Sequence, residues 1–266
     1  MTADLSQIAA DRGIKYFLIS YVDLFGHLRA KLVPAAAIGQ MQRNGAGFAG
    51  FATHLDMTPA HPDTLAVPDP ASLIQLPWKR EVGWLAADLW CDGAPVPDAP
   101  RNVLKKQIAE AKKLGLQMKT GVECEFFLLT RDGKSLADGA DEYPKPCYDQ
   151  MALMRQFDLI EAICDGMLEL GWRPYQNDHE DANGQFEMNW EYDDVLVSAD
   201  RHVFFKYMTK TLAEQAGWRA TFMPKPFNDL TGNGCHMHVS LWKDGVNVFD
   251  DPAGELGMSA MSYQFL

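Results

Sequence analysis

The sequence predicts an α+β protein in two parts: a small sheet domain over residues 1–100, and a larger domain over 101–266 in which helices alternate with strands of one sheet. Three features carry this reading. Runs rich in β-branched and aromatic residues dominate the first part. A proline-rich connector, DGAPVPDAPR, follows them. Beyond Leu116, apolar runs of strand length alternate with segments of helical period.

In the first part, GIKYFLISYVDL and HLRAKLVPA, joined through Phe25-Gly26, predict a hairpin, and SLIQLPWK and EVGWLAADLW predict two more strands. Pro95, Pro97 and Pro100 stiffen the connector, and Pro100 stands just ahead of a helix expected over RNVLKKQIAEAKKLG, which Gly115 ends. The second part opens on a strand, QMKTGVECEFFLLT, then a polar loop and a helix over ALMRQFDLIEAICDGMLELG. Two strands joined at Asn183-Gly184 follow, then a helix over ADRHVFFKYMTKTLAEQAG and strands at ATFMPK and CHMHVSLW. The final segment, SAMSYQFL, reads as helix-like with no capping signal, so the larger domain is expected to be truncated on its C-terminal side.

Composition narrows the function. With 47% hydrophobic residues, 14 Phe, 7 Trp and 8 Tyr, the chain can bury a substantial core. A net charge of -12, from 36 acidic and 24 basic residues, argues against a nucleic-acid partner. No apolar stretch approaches the ~20 residues that span a bilayer. The N-terminus, MTADLSQIAADRG, carries acids and no signal-type segment, so a cytoplasmic protein without a membrane partner is expected. Cysteines 91, 124, 147, 164 and 235 are odd in number and irregularly spaced, which reads as reduced core thiols and argues against a disulfide framework or a Cys-type zinc site.

The chemistry lies in three clusters. In VECEFFLL, Glu123 and Glu125 leave one side of a strand while Val122, Cys124 and Phe126 leave the other. Alone, this reads equally as an amphipathic strand with a wet face. In NDHEDANGQFEMNW, a two-residue turn at Asn183-Gly184 would set Glu180 directly opposite Glu187, a like-charge pairing that invites a cation. In KPFNDLTGNGCHMHVSLW, His236, His238 and Ser240 share a strand face behind Gly232 and Gly234, which let the backbone approach a ligand closely. Four glutamates with one histidine favour hard ions, Mg2+ or Mn2+, over zinc, and in such numbers suit two or more of them beside nucleotide phosphates.

Together these clusters resemble the glutamine synthetase family, from about Lys15 to the last residue. GVECEFFLL is similar to that family's Glu-x-Glu metal strand. Lys225 to Ser240 follows its ATP-region signature: Lys-Pro, a spacer, a small residue with Gly-x-Gly, then His and, four residues later, Ser. KYFLISYVDLFGHLRAKLVPA and NDHEDANGQFEMNW are similar to the subgroup called type III glutamate-ammonia ligase or γ-glutamylmethylamide synthetase. The resemblance implies a β-grasp-like N-terminal domain, 1–100, followed by a glutamine-synthetase-type catalytic α+β domain, 101–266, that is incomplete.

It also implies roles. One ion would be held by Glu125, Glu180 and Glu187; a second by Glu123, His236 and a glutamate beyond Leu266. Glu125, Gly232 and His236 would lie on the glutamate side, His238 and Ser240 at ATP phosphates or nucleotide, and Tyr192 near adenine. Glu180 and Tyr148 would be catalytic, at the amine. ATP would phosphorylate the glutamate side chain, and methylamine or ammonia would attack the γ-glutamyl phosphate. Mg2+ or Mn2+, two or more per site, and ATP are the implied cofactor and co-substrate; the implied assembly is a homo-oligomer, a dodecamer of stacked rings with active sites between subunits. Family arginines fall beyond Leu266, so these 266 residues alone are expected to be inactive.

Two departures matter. Bacterial members carry an ammonium-binding aspartate where GAGFAGFATHLD has Ala49, and a methyl in place of a carboxylate suits an alkylamine better than a hydrated cation. Thr231 stands where many members have Asn. The alternatives are a non-catalytic structural relative, which the retained ligands disfavour, and a γ-glutamyl-polyamine ligase, for which there is no second acidic site. A guanidino kinase conflicts with the Lys225 to Ser240 signature.

Overall fold

A computed structural model describes residues 3–266. They form two compact units, one ending at Leu116 and the other Gln117–Leu266. The connector helix falls in the first unit, although the sequence groups it with the second.

The first unit opens on α1 (Leu5–Arg12), capped by the Asp4 carboxylate and ended by Gly13 at φ 67°. Strands β1 (Tyr16–Val22) and β2 (Leu28–Pro34) form the expected hairpin. Its turn is tied by buried Asp23, which accepts from the Phe25 and His27 N–H groups and pairs with Arg29 at 2.8 Å. Then come α2 (Ala35–Asn44), β3 (Ala46–Phe48), β4 (Thr64–Pro68), β5 (Ile74–Gln75), β6 (Val82–Cys91), β7 (Ala94–Pro95) and α3 (Pro100–Lys113). The sheet runs β2-β1-β6-β4-β3 with β5 and β7 also on β6; β1 and β6 are parallel. Leu5, Phe17, Ile19, Ile38, Leu85 and Leu89 fill its core.

Both α1 and α2 were unforeseen in a part that reads mainly as strands; α2 is short, with Ile38 buried and Ala35, Ala37 and Met41 packed beside it against the core. SLIQLPWK yields only Ile74–Gln75 as strand, since Pro77 has no N–H to continue a ladder and the chain turns there.

The second unit is organised on one long strand, β8 (Gln117–Leu129). After it come α4 (Gln150–Arg155), α5 (Phe157–Glu169), β9 (Pro174–His179), β10 (Gln185–Trp190), β11 (Asp193–Asp194), α6 (Val195–Gln215), β12 (Arg219–Thr221), β13 (Cys235–Lys243), β14 (Val246–Asn247) and α7 (Ala260–Tyr263). The sheet is antiparallel, in the order β14-β13-β8-β10-β9, with β11 and β12 also on β8. Strand residues alternate as expected: Cys124 and Phe126 are buried, with the Phe126 ring 5.6–6.4 Å from those of Phe186, Phe205 and Phe222. The fully buried rings of Phe126, Phe186 and Phe205 each contribute roughly 1.5–3 kcal/mol by burial. That anchored face turns Glu123 and Glu125 to the other side.

Three local expectations are corrected. The helix over 152–171 is two helices, broken at Gln156 (φ -106°, ψ 14°). The last segment does carry a cap, since Ser259 Oγ accepts the Ser262 N–H at 3.2 Å. The hairpin register differs by two residues: Glu187 lies opposite Asp178, not Glu180, while Glu180 donates its N–H to Gln185 O. The type I′ turn that Asn-Gly favours needs positive φ at both central residues, and of the two only Gly184 has it, at 71°. A shift of two keeps the face, so Glu180 and Glu187 stay on one side.

What holds that loop is a buried pair outside the sequence reading. Asp141 Oδ2 lies 2.6 Å from His179 Nε2 and accepts the Gly184 N–H, while Asp141 Oδ1 accepts from Asn183 Nδ2. His179 Nδ1 meets Pro146 O at 2.8 Å, so both ring nitrogens face oxygen partners. Burial pushes the Asp141 carboxyl up, but the bonds from Asn183, Gly184 and His179 outweigh it and hold the acid below its ordinary value.

Among the described residues no helix is long and apolar enough to cross a membrane, and all five cysteines are free thiols.

Asp141→Ala leaves His179 buried without its carboxylate and should destabilise the protein by about 3–5 kcal/mol in urea unfolding; a loss below ~1 kcal/mol would contradict this structural role. Because the native Asp141 pKa is depressed, its contribution is present above the unfolded-state value and is lost as pH falls through the native one.

Candidate active site

Strand β8 carries Lys119, Gly121, Glu123 and Glu125 on one side, and its neighbours bring partners to each. Glu125 lies directly opposite Glu187 on β10. Glu125, Glu180 and Glu187 each offer a carboxylate oxygen within 4.8 Å of the other two. Opposed like charges destabilise a ladder, and burial adds to the cost: Glu180 is pushed up to about 7 by desolvation, then by Glu125 and Glu187. Glu187 is raised by burial and by Glu123 and Glu125, against a bond from Asn189. Asp178 is raised by burial and by Glu123.

Neighbouring groups orient Glu125. Its Oε2 accepts from Gln185 Nε2 at 2.7 Å and from the Gly234 N–H at 2.9 Å. Gln185 Nε2 also reaches Gly232 O and Asn233 Oδ1, at 3.0 and 2.9 Å. The two glycines permit this closeness: a Cβ on Gly234 would stand 2.6 Å from Glu125 Oε1, and one on Gly232 2.5 Å from Pro224 O. The sequence reading assigned their freedom to a ligand; their first use is packing against the chain itself. Thr231 Oγ1 ties the loop to Asp181 at 3.3 Å.

Toward β13, Glu123 lies between two histidines, with Oε2 3.5 Å from His236 Nδ1 and Oε1 3.1 Å from His238 Nε2. The structure thus brings His238, expected at phosphate, to the same carboxylate as His236. Farther along the face, Ser240 Oγ accepts from Trp242 Nε1, the Trp242 ring stacks on Tyr192 at 6.4 Å, and Lys119 Nζ stands 4.8 Å from the Trp242 ring. At the opposite end, the Tyr148 N–H donates to His179 O, one residue from Glu180, and exposed Tyr148 adopts φ 67°, a strained conformation for an aromatic residue.

The expected site residues thus fall at the carboxylate trio (Glu125, Glu180, Glu187), around Glu123 (His236, His238), at the aromatic end (Ser240, Tyr192) and at the loops (Gly232, Tyr148). Asp178, Gln185, Lys119 and Trp242 were missed. Gln185, Lys119 and Trp242 each lie an even number of positions from a recognised residue on the same strand, and Asp178 lies two positions before Glu180, so extending the period-two reading would have found them.

Clustered hard oxygen donors with a neighbouring imidazole fit Mg2+ or Mn2+, and the raised Glu180 acid marks where a cation relieves repulsion. Fold and site together define a class: an α+β domain whose sheet gathers hard oxygen donors on one face. The chain belongs to the glutamine synthetase family, whose catalytic domain matches residues 97–266.

The glutamine synthetase of Rhizobium leguminosarum bv. phaseoli is 65% identical over 268 residues, which cover 100% of this chain and 62% of the relative. The glutamate–methylamine ligase of Methyloversatilis universalis is 38% identical, over 99% of this chain and 61% of its own. A solved structure of GmaS in complex with ADP, conformation 1, matches at 62% identity and TM-score 0.98, covering 100% of this chain and 61% of that one. The chain therefore spans about three fifths of the length of these relatives.

Two outcomes follow from the geometry. An acid near pH 7 in the trio means that a divalent ion must displace a proton, so apparent Mn2+ affinity should rise about tenfold per pH unit below about 7 and level off above it; a flat profile from pH 5 to 8 in calorimetry would contradict the cluster. Gly234→Ala should push Glu125 aside and weaken Mn2+ binding at least about tenfold while far-UV circular dichroism stays unchanged.

Proposed function

We propose that the protein works as an ATP-dependent glutamate-amine ligase, with methylamine ahead of ammonia as acceptor. The observation that carries this is the convergence of Glu125, Glu180 and Glu187 within 4.8 Å beside a Glu123 flanked by His236 and His238. The trio holds one Mg2+ or Mn2+, and Glu123 with His236 holds another; when bound, such ions shield the charge of two approaching anions.

The protein's own residues do the remainder. Gln185 and the Gly234 N–H fix the rotamer of Glu125. The loop at Gly232 faces glutamate, with Glu125 and His236. His238 and Ser240 meet ATP phosphates, and adenine packs at Tyr192, where Trp242 and Lys119 complete an aromatic and cationic shelf. ATP transfers its γ-phosphoryl group to the glutamate side-chain carboxylate, giving ADP and γ-glutamyl phosphate. The amine then attacks the acyl carbon, phosphate leaves, and Glu180, with Tyr148 beside it, orients the amine and takes its proton.

In this reading residues 1–100 are a β-grasp-like domain and 101–266 belong to the catalytic domain; a parallel β1–β6 pair inside an otherwise antiparallel sheet supports the first assignment. Active sites form between subunits of a cytoplasmic homo-oligomer, a dodecamer, and Ala49 from one subunit lines the amine pocket of the next. Ala49 stands half-buried ahead of the turn Gly50–Ala52. Its methyl group favours an alkylated amine, a preference supported by the likeness to a glutamate–methylamine ligase.

Phosphate release by the full-length enzyme, with ATP, glutamate and each amine in turn, tests this reading. Methylamine should exceed ammonia in kcat/KM by at least about tenfold, the worth of one apolar methyl contact, and Ala49→Asp should shift the preference toward ammonia. Higher kcat/KM for ammonia, unchanged by Ala49→Asp, would overturn the assignment of acceptor; no phosphate release with either would overturn the ligase.

A further inference from the structure

The reverse face of β8 carries a second cluster that the ligase chemistry does not use. Cys124 and Cys235 are directly opposed across the β8/β13 ladder, so their thiols leave the sheet on the same side. His202, on α6, reaches both: one ligand atom from each of the three residues lies within 4.8 Å of the other two. Neither cysteine is in a disulfide. His202 Nδ1 is buried and has no hydrogen-bond partner, an exception among buried polar atoms that calls for a ligand.

In the sequence, the odd number and irregular spacing of the five cysteines argue against a Cys-type zinc site. The fold supplies the proximity instead, with one ligand each from β8, β13 and α6. We propose that Cys124, His202 and Cys235 form a soft-metal site that takes Zn2+ with three protein ligands and leaves one position for water.

The donor chemistry separates this site from its neighbour on the other face. Thiolate and imidazole select Zn2+ and disfavour Mg2+, whereas the carboxylate trio does the reverse. Tetrahedral Zn2+, at about 2.3 Å from sulfur and about 2.0–2.1 Å from nitrogen, needs ligand atoms roughly 3.4–3.8 Å apart. The present spacing, no more than 4.8 Å, closes to this by side-chain rotation. Two thiolates neutralise the ion, so Lys206, one turn beyond His202 on α6, meets no added net charge.

Position in the chain gives the site a consequence. Cys124 lies between Glu123 and Glu125, and Cys235 lies between Gly234 and His236. An ion clamping the two thiols to α6 therefore fixes the strand pair on which the opposite face is built.

The test uses the full-length protein, kept reduced with a phosphine and saturated with Mg2+ to fill the carboxylate face, then titrated with Co2+ as an optical substitute for Zn2+. The proposal expects a thiolate-to-cobalt charge-transfer band in the near ultraviolet that saturates at about one ion per chain and is abolished by Zn2+. Cys235→Ser and His202→Ala should each weaken Co2+ binding at least about tenfold, while Cys164→Ser should not. Absence of the band, or an undiminished band and affinity in Cys235→Ser, would overturn the site. In a second sample prepared without the phosphine, formation of a Cys124–Cys235 disulfide with no metal uptake would also overturn the site and would assign the pair to redox chemistry.

Discussion

Glu125 and Glu187 are locked opposite each other in the β8/β10 ladder, and Glu180 joins them from the neighbouring turn. Three carboxylates this close repel, and partial burial raises the cost, which is why Glu180 holds its proton up to about pH 7. The arrangement survives because the backbone beneath it is over-determined. β8 is paired along both edges, by β13 and β12 on one side and by β11 and β10 on the other. Phe126, Phe186, Phe205 and Phe222 anchor the reverse face, and the Asp141–His179 pair holds the hairpin that presents Glu180. Stability of the core is thus spent on holding charges where water alone would not keep them.

A single strand separates two chemistries because side chains alternate. Oxygen donors crowd one face of β8, and sulfur and imidazole gather on the other, one residue away along the backbone. The consequence is a shared mechanical element: a displacement of Cys124 or Cys235 carries Glu123, Glu125 or His236 with it. The same economy explains Gly232 and Gly234, where the absence of Cβ atoms lets a loop lie directly on Glu125 and Pro224. It also explains the strained Tyr148, held at φ 67° by its bond to His179 O beside Glu180.

Much of this was legible in the sequence, for identifiable reasons. Period two along VECEFFLL separates the faces of β8, and Cys124 and Phe126 are buried as read; along CHMHVSLW only Leu241 is buried, and Cys235 and Met237 are exposed. The helix after Pro100 and the turn at Phe25-Gly26 follow from proline and glycine geometry. What was illegible depends on tertiary partners. The Asn183-Gly184 turn reads as a two-residue hairpin, yet Asp141, more than forty positions earlier, captures the Gly184 N–H and the register moves by two. Helix α2 rests on the core through small residues and Met41 around a single fully buried Ile38, a weak signal in ten residues. The Cys124, His202 and Cys235 cluster joins three distant segments and has no spacing signature at all.

On the proposed function, β8 hands its two acids to different ions, Glu125 with Glu180 and Glu187 to one, Glu123 with His236 to the other. Mn2+ titration of the full-length protein, followed by electron paramagnetic resonance, tests it on Glu125→Gln and Glu123→Gln side by side. The account predicts that each variant loses a different one of two binding phases, and that ATP restores affinity only where Glu125 is intact. Identical titrations for the two variants would contradict it.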